Sequence, residues 1–436
     1  MMLVESRASP VVFRSDTAGS SSSGCRTIGP APEKNHPVSP GHNVEVTSIM
    51  EEHPSVHDLS LLGGPLHRMG CRLHLVRGRA NTTALGVALG LLLWIVLMAL
   101  AIAAGVVHRM ASVLVVGVHV RLLAAIPLFF VCESLVDPRV TSFARSIIRS
   151  GVVPQNALQN LEIKITRITR WKDSWVPETI CALLAVLMWW YGTRLTRFGT
   201  TTDYLVGGPT IGFTMAGQWY WTVCMTVFRF LMLRWLWRLC LWWYFLWSLT
   251  VLPLRLIPAH PDGAAGIGYL DVVHAHFAPL VIAISLIQTA SFAEGISAGT
   301  MPFGAIYPAV AATLLVDALL FLAPLLILAP ALWACRMKGR DDYENLAERY
   351  VDRFDRKWMR TGAVPSDQLL GTPDLAPLVA LRNVVENVSR VRWTPASPRL
   401  LTQLTIAALF PMAPLLLIKY PVAELIQKFI ERLSGL

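Results

Sequence analysis

The chain has 436 residues, a formal charge of +10 and a hydrophobic share of 54%, with only 15% charged residues. Soluble domains carry about 25% charged residues, so a soluble globule, or a string of them, is excluded. The basic balance does not point to nucleic acid, because Lys and Arg gather in particular loops between apolar windows, as cytoplasmic loops of membrane proteins do. The expected class is all-α: a polytopic integral membrane protein of about seven transmembrane helices with cytosolic amphipathic helices. Its first partner is then the lipid bilayer.

Residues 1–49 are rich in Ser, Pro, Gly and His and lack an apolar period. They read as a disordered tail, and because Met50 opens a more structured stretch, translation is expected to start there. A basic cytosolic segment follows at 50–83, with Arg68, Arg72, Arg77 and Arg79. Two uncharged-to-weakly-charged apolar windows, about 84–107 and 111–131, are joined by His108-Arg109-Met110, a tight turn. They form a membrane hairpin over 84–136. The 137–177 segment is basic and cytosolic. Within it Pro154 opens a helix whose Leu158, Leu161, Ile165 and Ile168 lie opposite Lys164, Arg167 and Arg170, an amphipathic pattern.

Spans three to six occupy 178–335: about 176–191, ending in Trp189-Trp190-Tyr191, then part of 219–251, 272–292 and 305–333. Gly207, Gly208, Pro209 and Gly212 mark a loop between the third and fourth. A cytosolic helical loop spans 336–398, with one helix begun by Asp341-Asp342 and another by Thr372-Pro373-Asp374. The stretch 399–436 holds the last span, about 400–418 and bent by Pro411 and Pro414, and an amphipathic tail at 422–433. With the N-terminus inside, the inner segments carry twenty-eight Lys and Arg and the outer ones six. That bias places the N-terminus in the cytoplasm and the C-terminus outside.

Seven of the fifteen Trp fall between Trp219 and Trp247, beside Arg229, Arg234 and Arg238. Charges deep in a bilayer cost about 3 kcal/mol each on insertion scales, so they turn to the bundle interior and find partners. Arg121, Arg234 and Asp317 all fall near the middles of their expected spans. Two readings follow: a net-positive Arg121/Arg234/Asp317 cluster, with Arg238 one turn away, that holds a small anion, or a structural salt bridge with Arg238 reaching lipid headgroups. If Asp317 pairs with Arg234, Asp317→Asn destabilises the protein unless Arg234 is neutralised too.

His119 and Glu133 are candidates for a proton or polar relay, or for hydrogen-bonded neighbours of Arg121. His260, Asp262, Gly266 and Gly268 lie in a cytoplasmic loop after the fourth span. A Gly-rich turn can cradle phosphate at a helix N-terminus, but no Lys follows, and a tight turn with a loop cap is the simpler role. Asp271, His274 and His276 would have to join the loop to make a metal site, and His274 and His276 point to different helix faces. The seven Cys are scattered without a C-x-x-C, so neither disulfides nor zinc is expected. No catalytic motif, cofactor or metal site is assigned.

Several blocks carry a family likeness: His119-Val120-Arg121 with Pro127-Leu128 and Glu133; Arg234-Trp235 with Arg238; Leu254-Arg255-Leu256; and His260-Pro261-Asp262 with Gly266 and Gly268. Phe354-Asp355 with Lys357-Trp358, Leu370-Gly371-Thr372 with Asp374, and Pro411 with Pro414-Leu415 extend it across most of 50–436. In these the chain resembles a family of bacterial polytopic inner-membrane proteins with no established activity. The resemblance implies the bacterial inner membrane and names no substrate. The chain departs from it at Ala265-Gly266, where the family has Gly-Gly, and at Ala376-Pro377. The functional expectation is a transporter or channel for a small solute, an anion being the case the arginines favour. Its alternative is a non-transporting scaffold or sensor that binds partners or anionic lipid through its cytosolic helices.

Overall fold

A computed structural model describes residues 59–60, 82–195, 214–359 and 375–415, all within one compact unit, Ile49–Leu436. The tail at 1–49, the basic run Arg68–Arg79, the glycine-rich loop at 207–212, the Thr372-Pro373-Asp374 cap and the 422–433 helix lie outside those residues. Among the described residues every regular element is helical. Four of these helices are long and apolar enough to cross a membrane, or five segments if a pair bent by 44° is counted as one span. The protein is a multi-pass helical membrane protein.

Helix α1 (Thr83–Ala103) packs against α2 (Val113–Arg149) through small residues. Gly86, Gly90, Leu93, Leu97 and Ala101 form its buried stripe. A Cβ on Gly86 would sit 2.6 Å from Phe130, and one on Gly90 would strike the Leu122 carbonyl oxygen. Glycines four apart let two membrane helices approach this closely. The α2 side of the contact is a π-helical turn, Val120–Ala125, immediately before Pro127, which cannot donate to the carbonyl of Leu123.

Two expected boundaries move. The second span does not give way to a loop at 137: α2 continues through Pro138 to Arg149. Val136, Val140, Phe143, Ala144 and Ile147 extend its buried stripe past the proline, so tertiary packing outweighs one lost hydrogen bond. The sixth span does not run unbroken over 305–333. Helix α7 (Phe303–Phe321) stops there, a short turn spans Ala323–Leu326, and α8 (Ala329–Trp358) runs straight across the expected 335/336 boundary. Pro324 and Pro330 each remove a donor and crowd the preceding turn, which is why the chain breaks there and not at Asp341-Asp342.

Helix α3 (Gln155–Asp173) buries Leu158, Leu161, Ile165 and Ile168, and packs on α5. Helix α4 (Trp175–Leu195) follows it. Helix α5 passes through Met215–Trp219, a second π-helical turn at Tyr220–Cys224, and Met225–Thr250. Helix α6 (Tyr269–Ser297) sits at the centre of the bundle, against α2, α7 and α10 (Pro398–Leu409). Helix α9 (Leu375–Ser389) packs on α8. Beyond Leu409 the chain tightens into a short turn, Phe410–Met412, at the expected proline bend.

Side-chain contacts fix the helix directions. Gly86 meets Phe130 while Trp94 meets His119, so α1 and α2 are antiparallel. Phe129 stacks on Phe228 and Phe143 meets Phe245 edge to face, so α2 and α5 are parallel. Gly117 meets Glu294 and Cys132 meets His276, so α6 opposes α2. The connecting segments converge: Arg255 N donates to the Val152 carbonyl at 2.7 Å, Arg392 N to that of Gly263 at 2.9 Å, and Gly339 lies against Pro258.

Candidate functional site

Several sets of polar groups lie inside the bundle. In the first, Arg234 Nε donates to Glu178 Oε1 and its Nη1 to Glu133 Oε2, both at 3.2 Å, and Arg238 Nη2 donates to Glu133 Oε1 at 2.8 Å. Arg234, Arg238 and Glu133 are each about 4% exposed. Two cations therefore face two carboxylates contributed by α2 and α4, and Arg238 also lies over the Trp235 ring at 5.6 Å. The counter-ions expected at Asp317 are Glu133 and Glu178 instead.

The second set joins the two π-helical turns. Arg121 Nη1 donates to the Tyr220 hydroxyl at 2.9 Å and Nη2 to Ser291 Oγ at 3.4 Å. Glu294 accepts from the Gly117 amide at 2.7 Å, and a Cβ on Gly117 would lie 2.6 Å from Glu294 Oε1 and 3.0 Å from Arg121 Nη1. So Arg121, Glu294 and Tyr220 share one pocket of space, contributed by α2, α6 and α5. An extra residue in a helical turn re-aims the side chains that follow it, and here both re-aimed turns point at each other. Arg229 lies apart, 5.8 Å from the Trp221 ring, and borders an apolar groove of about 230 Å³ beside α4, α5 and α6.

His119 is not part of a relay with Arg121 or Glu133. Trp94 donates to its Nδ1 at 2.9 Å, and its Nε2 faces the Met110 carbonyl at 2.8 Å. An indole can only donate, so Nδ1 accepts and Nε2 is the nitrogen that faces the Met110 carbonyl as donor. His274 is held in the mirror sense: Trp242 donates to Nε2 at 3.1 Å, and Nδ1–H reaches the Phe321 carbonyl at 2.7 Å. Trp243 donates to the Leu320 carbonyl at 3.3 Å, which Pro324 cannot serve. Trp243 directly, and Trp242 by way of His274, thus satisfy the carbonyls exposed where α7 breaks, a role the spacing of the tryptophans did not disclose.

Asp317 stands alone. It is 7% exposed, and neither carboxyl oxygen has a hydrogen-bond partner among the described residues. It borders a cavity of about 130 Å³ between α6, α7 and α10, walled by Val281, Leu314, Leu401 and Leu404, with Thr405 the one other polar side chain on the lining.

The loop after α5 is an anion site already filled by the chain. Asp262 accepts from the amides of Ala264 at 2.9 Å, Gly266 at 3.1 Å and Gly268 at 2.8 Å, and His260 Nδ1 lies 2.9 Å from Oδ1. Burial alone would raise this carboxyl, but those amides and His260 outweigh it and hold the group below the ordinary carboxylate range. The amides that could cradle a phosphate are therefore occupied. Arg392 ties the loop to the last connecting segment, donating to the Asp262 carbonyl and to Asp271, both at 3.2 Å.

Gly266 has φ +98° and Ala265 φ +55°. The left-handed region costs a residue with a Cβ about 1–2 kcal/mol, so Ala265 carries strain. Ala265→Gly is expected to raise stability by up to about 1 kcal/mol, the relieved strain being partly offset by unfolded-chain entropy. Gly266→Ala is expected to cost about 2 kcal/mol or more, because its Cβ would also lie 2.6 Å from Val152. Melting curves of the purified protein in detergent check both, and equal effects at the two positions would reject the assignment.

Sequence reading found Arg121, Arg234, Arg238 and Asp317 but missed Glu178, Glu294, Tyr220 and Ser291. Glu294 was legible as the acid just past the apolar window at 272–292, and Glu178 as the one at the start of the window at 176–191. Comparison of the chain with known protein families, with curated proteins and with solved structures finds no match.

Proposed function

We propose that the protein is a seven-span transporter of a small solute in the bacterial inner membrane, with its N-terminus in the cytoplasm. Beyond the four helices that qualify singly by length and apolarity, α4, α5 and α10 complete the count. Helix α5 lies parallel to α2 within the bundle, and its three arginines account for its lower hydropathy. Helix α10 runs beside α6 in the same direction, Gln403 meeting Ala275 and Met412 packing with Phe292. The directions then alternate along α1, α2, α4, α5, α6, α7 and α10. The segments around Val152, Gly263 and Arg392, which converge on each other, fall on one side, the side that carries the basic excess.

The observation that carries transport is Asp317, an unpaired carboxyl group beside a cavity where α7 is interrupted. Interrupted helices beside an intramembrane polar group are the usual build of a transport site. The arginines expected to attract an anion are matched by Glu133 and Glu178, with Glu294 beside Arg121, so the solute is neutral or cationic. The test is flux into liposomes across a panel of small anions, neutral solutes and amines. Wild-type protein should move a neutral or cationic member, and Asp317→Asn should abolish that flux. Flux confined to anions would overturn the charge assignment, and flux unchanged in Asp317→Asn would remove the site.

The scaffold reading keeps one observation in its favour: α3 leaves Arg167 and Arg170 exposed opposite its buried face, which suits anionic headgroups. No flux across the whole panel, with binding to anionic vesicles retained, would favour it.

A further inference from the structure

We infer that Asp317 is a proton-binding site: a carboxyl group that holds its proton while the cavity is dry and releases it when the cavity takes up water. This deepens the transport reading by naming the coupling ion as the proton, and it rests on that reading only for its purpose, not for its chemistry.

A carboxylate withdrawn from water without a partner is among the most unfavourable groups a protein can bury, and it neutralises instead. Here the withdrawal is nearly complete, the residue being 7% exposed, and among the described residues no charged group lines the cavity beside it. Helix α6 presents Val281 to it, α10 presents Leu401, Leu404, Thr405 and Ala408, and its own helix presents Leu314, Ala318 and Phe321. None of these titrates. The arginines expected beside it, Arg234 and Arg238, are engaged by Glu133 and Glu178.

The surroundings also supply a means of letting water in. Asp317 lies one turn before the α7 break, whose open carbonyls are held by Trp243 and His274. Across the cavity, α10 ends at Leu409, one turn after Thr405. Two helix ends flank the carboxyl group, so it can meet water through a small displacement of either, and Thr405 stands on the wall as a hydroxyl to receive the first water.

A hydrophobic carbodiimide reads this state directly. The protonated carboxyl adds across one C=N bond of dicyclohexylcarbodiimide: the new C–O bond forms at the central carbon, and the acid proton moves to nitrogen. In the absence of water the O-acylisourea rearranges, its acyl group passing from oxygen to nitrogen, to a stable N-acylurea. Nothing leaves, so the labelled peptide gains the mass of one reagent molecule. Ionised, paired carboxylates do not enter this reaction, and a water-soluble carbodiimide does not reach a dry cavity.

Native membrane vesicles bearing the full chain are treated with dicyclohexylcarbodiimide over a range of pH and mapped by peptide mass. The expected result is an adduct at Asp317, absent at Glu133 and Glu178, that declines as pH rises and is not formed by the water-soluble reagent. Asp317→Glu should keep the adduct and Asp317→Asn should lose it. The wild-type map decides the matter even where a variant fails to fold. An unlabelled Asp317, or labelling no greater than at Glu133, overturns the proton site. Labelling without flux of any solute would leave the proton site standing and remove transport. Flux with Asp317 unlabelled would do the reverse.

Discussion

Glu133→Ala is expected to cost about 3–5 kcal/mol of stability, the loss typical when one partner of a buried ion pair is removed. The reason is arithmetic of charge: Glu133 receives hydrogen bonds from both Arg234 and Arg238. Without it, Arg234 keeps Glu178, and among the described residues Arg238 keeps the face of Trp235. A guanidinium cannot neutralise itself by losing a proton, so the charge stays buried and partly unmatched. Resistance to unfolding in detergent is the measurement. Adding Arg238→Gln to the background should recover part of the loss, because the same substitution removes the stranded cation, and a double-mutant cycle isolates that coupling. In the same assay Asp317→Asn should cost nothing, or stabilise, since it removes a buried acid without a partner. A cost for Asp317→Asn that Arg234→Gln relieved would restore the pairing expected from sequence. A cost below about 1 kcal/mol for Glu133→Ala would place the cluster in contact with water.

The membrane class, the helices and the amphipathic face of α3 were legible because hydropathy and a 3.6-residue period do not depend on what packs where. Which charges pair was not, and the cause is specific. Depth was assigned from the expected ends of each span, and two ends were displaced. With α2 running from Val113 to Arg149, Arg121 falls in its first quarter and Glu133 near its middle. With α7 ending at Phe321, Asp317 is one turn from a helix end. Arg121, Arg234 and Asp317 looked level only because Asp137-Pro138 read as a stop and Pro324 did not. Neither proline could be judged from local sequence: Pro138 is carried by the buried stripe on either side of it, and Pro324 breaks the chain because Trp243 and His274 are placed to receive the exposed carbonyls.

Gly90→Leu is expected to abolish the folded state, and Gly90→Ala to cost about 3 kcal/mol, at the upper end of overpacking penalties. On helix propensity alone the sign would be reversed, since alanine is favoured over glycine by about 1 kcal/mol in a helix interior. What decides is the partner atom. The new Cβ would meet the backbone oxygen of Leu122, in the π-helical turn, with Pro127 Cδ 3.5 Å away. A flexible side-chain tip could swing aside, but this oxygen moves only with the turn that aims Arg121 at Tyr220. The loss should therefore extend beyond stability. Among variants that still fold, the Tyr220–Arg121 contact should loosen, read as a change in tyrosine absorbance or in protection of the Gly117 amide, which Glu294 accepts. Gly304→Ala is the control, because a Cβ there meets nothing within 4 Å, and it should leave melting unchanged or slightly raised. Equal tolerance at Gly90 and Gly304 would mean that α1 does not sit on the turn as described, and the placement of Arg121 would go with it.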